Sequence, residues 1–166
     1  MEASKLIRQR GADQFRRFLV FLALAVSFGG FLFYAGVVVP AGTSVLDATT
    51  QGFVTQLVTR ILNLSVLVTV LLLTWDILVS LSRRSAAANR CLVVCTILIA
   101  LSCLTLMWLH QRMDNMLDAE EFAVLDDEAF YGLHRIYLWT STVQWLCSLP
   151  VFWVFANTGI QSAPTE

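Results

Sequence analysis

Apolar and polar positions are arranged in long blocks along this chain. Four apolar blocks run at about 18–39, 61–81, 91–109 and 136–156, and the stretches between them are alternately basic and acidic. A helix rising about 1.5 Å per residue needs about 20 apolar residues to cross a hydrocarbon core roughly 30 Å thick. Each block meets that length. The pattern predicts an all-α protein, an antiparallel four-helix transmembrane bundle forming a single domain over residues 1–166.

Charge sets the expected orientation. Lys5, Arg8, Arg10, Arg16 and Arg17 precede the first block, and Arg83, Arg84 and Arg90 separate the second from the third. Only Arg60, Arg112 and Arg135 fall on the other side. Lys and Arg in short loops near span ends stay cytoplasmic, so this bias predicts both termini inside. The connections at about 40–60 and 110–135 are then outside, the second bearing Asp114, Asp118, Glu120, Glu121, Asp126, Asp127 and Glu128. The first block ends in Val37-Val38-Val39-Pro40, without a small-x-small site, and is longer than a cleavable leader core; it reads as a retained span. The expected location is a plasma membrane, multi-pass, with the lipid bilayer as the first partner. The basic N-terminal arm also suits anionic head groups of the inner leaflet.

Composition narrows the function classes. The chain is 57% hydrophobic and 14% charged, against about a quarter charged in a soluble domain. What the spans leave is too short for a separate globular unit. GxSxG, Walker A, GxGxxG and HExxH patterns are absent from the sequence, and nothing beyond the short basic arm supports nucleic-acid binding. Cys91, Cys95, Cys103 and Cys147 all lie outside the acidic connection, which excludes an exported disulfide framework and makes them small packing residues.

The polar positions inside the blocks are the next signal. Ala25, Gly29 and Gly36 share one face of the first span, where small residues admit a neighbouring helix or a second copy; Pro40 is expected to end that span sharply. Asp76, about 22 Å along the second span from Ile61, falls near the inner interface, with Arg83 two turns on as its expected partner. An ionisable group within a span is a functional candidate by default; the alternatives are a structural ion pair and a proton or ion pathway. In the fourth span His134, Tyr137, Ser141, Gln144 and Ser148 form a stripe at helical spacing. That stripe must face the bundle, either as interhelical hydrogen bonding or as the wall of an outward-facing polar pocket.

His110 closes the third span and His134 opens the fourth. Spans three and four are expected to extend past the outer face as a helical hairpin, with Asp126 capping the second arm and the tip at about 119–124. The two histidines would then sit at similar height. His110, Asp114 and Asp118 share a helix face, so His110, His134, Asp114 and Asp118 are candidate ligands for a transition metal, and the paired imidazoles for haem. The plainer reading is that both histidines bond to neighbours or water, with no cofactor.

Gly29-Gly30 followed by Pro40, the Thr59-Arg60 and Asn63 entry to the second span, and His134-Arg135-Ile136-Tyr137 before a Trp- and Thr-rich span carry a resemblance. The chain resembles small four-span bacterial integral membrane proteins whose activity is unassigned. The resemblance implies the same four-span architecture and transfers no functional residue. With no catalytic motif and a packing-rich stripe, the leading expectation is a non-enzymatic membrane protein acting through other membrane proteins or as a homo-oligomer. The alternatives are a redox or metal/haem-binding protein using the histidines, and a small ion- or proton-coupled transporter centred on Asp76.

Overall fold

A computed structural model of the chain describes residues 2–118 and 123–157, without the side chains of 2–6, 8, 48, 49, 83 and 123. The described residues are almost wholly helical. Helix α1 is one continuous rod of five stretches: Glu2–Leu24, a π turn Ala25–Gly29, Gly30–Phe33, a second π turn Tyr34–Val38, and Val39–Thr43. Helix α2 is Ala48–Ser80, α3 is Ala86–Asp114 and α4 is Asp127–Asn157. Among the described residues, Gln9–Thr43, Thr50–Ser80 and Ala86–Asp114 are long and apolar enough to cross a membrane. Helix α4 is of similar length, but its polar stripe dilutes its apolar content. Three such helices are those of a membrane-embedded protein.

Local chemistry sets the helix starts. Asp47 caps α2, its Oδ1 accepting the Thr50 N–H at 2.9 Å and its Oδ2 the Thr50 hydroxyl at 2.7 Å. Ser85 Oγ accepts from Ala88 N at 3.2 Å ahead of α3. Asp126 Oδ1 accepts from Ala129 N at 3.0 Å and caps α4 as expected, with Asp127 and Glu128 favourable in the first turn.

Several expected boundaries are corrected. Helix α1 runs through Pro40 to Thr43 rather than ending there. The π turn just before it, in which Val39 N–H reaches back to Tyr34 O, widens the backbone where the proline ring and its missing N–H would otherwise break an α-helix. Helix α2 begins at Ala48, so the connection expected at about 40–60 shrinks to residues 44–47. Beyond Asp114 the hairpin of α3 and α4 is not helical. A two-stranded ladder, β1 (Leu117–Asp118) against β2 (Ala123–Val124), pairs Leu117 with Val124 and Asp118 with Ala123. The expected tip lies mostly outside the described residues.

Helices α3 and α4 share the most extensive contact, followed by α2 with α3 and α1 with α2. Helix α4 closes back on α1, where Phe152 meets Phe21 and Phe28 edge to face at 5.8 and 6.5 Å between centroids. The main core joins Val20, Leu24, Leu73, Leu92, Ile99 and Val151, all fully buried. Leu106, Leu109 and Tyr137 form a smaller cluster between α3 and α4. The small-residue stripe of α1 is corrected in direction. Ala25, Gly29 and Gly36 are each exposed, and a Cβ built on Gly29 or Gly36 meets nothing within 4 Å. Gly30 packs against α2, 3.3 Å from Leu62 Cδ2 for such a Cβ.

Candidate functional site

Asp76 is completely buried near the C-terminal end of α2. Arg16 of α1 donates through Nε to its Oδ1 at 2.9 Å, and Arg84, just past α2, donates through Nη2 to its Oδ2. The expected partner was Arg83, whose side chain lies outside the described residues. The 3-10 turn Leu81–Arg83 tightens the chain after Ser80 and returns residue 84 to the carboxylate. Arg16 also donates through Nη1 to Asp13 Oδ1 and through Nη2 to Ser80 Oγ, both at 2.8 Å. The Arg84 guanidinium lies 5.1 Å over the Phe155 ring of α4. Two carboxylates and two guanidiniums thus gather where α1, the C-terminal end of α2 and α4 meet, as a charge-balanced clamp.

Above the clamp a polar column follows one face of α2: Gln51, Thr55, Thr59, Asn63, Thr69, Asp76 and Ser80. Neighbouring helices answer it. Tyr34 donates to Thr55 Oγ1 at 2.8 Å, Asn63 Nδ2 donates to Tyr137 Oη at 3.1 Å, and the Ser27 and Thr69 hydroxyls share a bond of 2.8 Å. Cys103 Sγ lies 3.6 Å from the Asn63 carbonyl; all four cysteines are free thiols. In α4, Tyr137, Ser141, Gln144 and Ser148 are buried, so the polar stripe faces the bundle. Gln144 Nε2 points to Ile99 O at 3.4 Å.

Beside the column lies a cavity of about 10 Å³ among all four helices, lined by Ser27, Thr59, Asn63, Tyr137, Ser141 and Gln144 and by as many apolar residues, Leu106 of α3 among them. On the α1 side its wall is the first π turn, through Ser27 and Phe28. Such turns interrupt a regular hydrogen-bond ladder and concentrate at functional sites. Ser141 Oγ is buried with no hydrogen-bond partner among the described residues. Between this cavity and the clamp the column is broken by Leu73, which is fully buried.

His110 stands in α3 and His134 in α4. His110 Nε2 is 3.5 Å from Asp114 Oδ2, a loose pair one turn apart. His134 lies parallel to Phe130, with 6.3 Å between ring centroids. Burial pushes the His134 imidazole below its ordinary value of 6.5. Asp118 sits in β1, and among the described residues no group of three or more His, Cys, Asp or Glu side chains gathers to hold a metal ion. The depressed His134 value has a definite sign. The unfolded chain takes the proton at a higher pH than the folded one, so stability falls as pH drops from 6.5 toward the lower folded value. His134→Gln is expected to flatten the pH dependence of the thermal midpoint in that window; an unchanged slope would show that His134 contributes nothing there.

Sequence reasoning gave Arg16 to topology and head-group contact, missing its pairing with Asp76, and it missed Gln51 and Thr55 of the α2 column. The four-residue spacing of Gln51, Thr55, Thr59 and Asn63 was a usable signal, cut off by placing the span start at 61. No spacing rule could pair Arg16 with a residue 60 positions away. No known family model, no curated protein and no solved structure matches this chain, so its assignment rests on its own geometry as a membrane-embedded helical protein.

Proposed function

We propose that this chain is a four-span, non-enzymatic protein of the bacterial inner membrane, with both termini cytoplasmic, that forms an ion- or proton-coupled pathway. The carrying observation is the buried column along α2, with a small cavity beside it and the Arg16–Asp76–Arg84 clamp closing its inner end. Polar and ionisable groups are expensive inside a bilayer and mark pathways when they line an interior. In this reading the clamp is the inner gate. Leu73 and its apolar neighbours are the barrier between gate and cavity, and α4 supplies the fourth wall.

Purified full-length protein in liposomes tests it, with an interior pH dye under an imposed potential and sodium and potassium fluxes measured in parallel. Flux above protein-free vesicles, lost in Gln144→Leu while insertion is unchanged, is the expected result. Wild-type vesicles that match empty ones for all three ions sink the reading. The outward face at Ala25, Gly29 and Gly36 favours a second reading, self-association through α1. That reading is favoured instead if vesicles are inert and crosslinking in native membranes yields dimers that Gly29→Leu abolishes.

A further inference from the structure

We infer that residues 2–12 of α1 form an amphipathic foot that lies on an anionic lipid surface, at the membrane face where α1 begins. The inference does not depend on the pathway reading. Arg16, bonded to Asp76 and Ser80, marks where α1 enters the bundle. The helix continues back from there to Ile7 for about 13 Å. Among the described side chains of this stretch, Ile7, Gln9, Arg10 and Ala12 are all exposed, Ile7 at 72%. A single helix of this length is marginal alone in water, so it is held by a surface.

Two properties name that surface. The first is charge. Lys5, Arg8 and Arg10 are opposed within residues 2–12 by Glu2 alone, and the next acid, Asp13, is taken by Arg16 at 2.8 Å. Anionic head groups attract such a segment and zwitterionic ones do not. The second property is an apolar line. Helix α1 is regular from Glu2 to Leu24, so Ile7, Gly11, Phe15, Phe18 and Leu22, spaced by three and four, follow one side of it. Phe15, Phe18 and Leu22 are 62%, 59% and 46% exposed, so this side is turned away from the other helices. Within a bilayer it meets acyl chains, and it runs on into residues 2–12 with Ile7 at its far end. By helical spacing, positions 5 and 8 fall on one flank of the line and position 10 on the other. A helix with an apolar line flanked by Lys and Arg lies in the plane of the interface, its apolar side sunk into the head-group boundary. Gly11 supplies the bend. A Cβ there meets nothing within 4 Å, and glycine leaves helical geometry at little cost. A bend toward the apolar line lays Ile7 on the surrounding lipid and not across the bundle.

Hydrogen–deuterium exchange of the full chain in nanodiscs tests the foot, with phosphatidylcholine alone compared with a phosphatidylcholine and phosphatidylglycerol mixture. Amides of residues 2–12 are expected to exchange about tenfold more slowly in the anionic discs. Ile7→Ser, and separately the triple variant Lys5→Gln, Arg8→Gln, Arg10→Gln, are each expected to remove that slowing. Exchange in α2 and α3 reports in the same experiment that each variant is folded. Equal exchange in the two kinds of disc would overturn the inference. So would slowing that survives Ile7→Ser, which means loose electrostatic contact with no inserted side. Slowing found only in native membranes would overturn it as well, because it points to a protein partner.

Discussion

Asp76→Asn is expected to lower the stability of the solubilised protein by about 3–5 kcal/mol, measured by denaturant titration of helical signal. The substitution keeps the size of the side chain but removes the charge that two buried guanidiniums face. Arg16 retains Asp13 and Ser80, whereas the Arg84 guanidinium, with Nη1 already lacking a hydrogen-bond partner among the described residues, keeps only the Phe155 ring. Breaking one partner out of such a cluster is more damaging than replacing all of it. The triple variant Arg16→Met, Asp76→Leu, Arg84→Met is accordingly expected within about 1 kcal/mol of wild type, since well-packed apolar groups avoid the desolvation penalty. An Asp76→Asn protein as stable as wild type would mean that the clamp is not formed in the folded chain. In the pathway reading, the triple variant replaces a charged closure by an apolar plug, so in vesicles its flux is expected to fall below wild type while its stability is kept.

Leu73→Ala is the second large effect, with an expected loss of about 2–5 kcal/mol. Leu73 is fully buried beside Leu24, Leu92, Ile99 and Val151, and close-packed neighbours relax only partly into the space left behind. The same residue separates the Thr69 level of the column from Asp76. Shortening it joins the cavity to the charged clamp, and in liposomes it is expected to produce an ungated proton leak. Leu73→Met conserves volume and serves as the control, with near-native stability and no leak. A destabilised Leu73→Ala protein that remains tight would show that the apolar barrier is not the element that closes the column.

Both effects depend on residues that differ in how far they could be read in advance. Asp76 stands out in an apolar block, and its pairing with a basic residue was expected. That one partner would be Arg84 and not Arg83 depended on a single 3-10 turn after Ser80. The second, Arg16, lies on another helix. Leu73 is one leucine among many; only packing distinguishes it from Leu71 or Leu78, which are 63% and 72% exposed. The polar stripe of α4 was read better, because at three–four spacing it has one affordable orientation in a helical bundle, and Tyr137, Ser141, Gln144 and Ser148 are buried.

The sequence by itself determined the helical architecture, because apolar block length, the caps at Asp126 and the breaks between blocks are local properties of neighbouring residues. It also determined which residues share a helix face. Which way each face points was decided only by the tertiary structure. In a soluble protein an apolar stripe must turn inward, away from water. In a membrane the surroundings are as apolar as the core, so the Ala25, Gly29 and Gly36 stripe could be assigned to a face but not to a neighbour. The meeting of Arg16 with Asp76 arises from how the helices pack, and no local pattern encodes it.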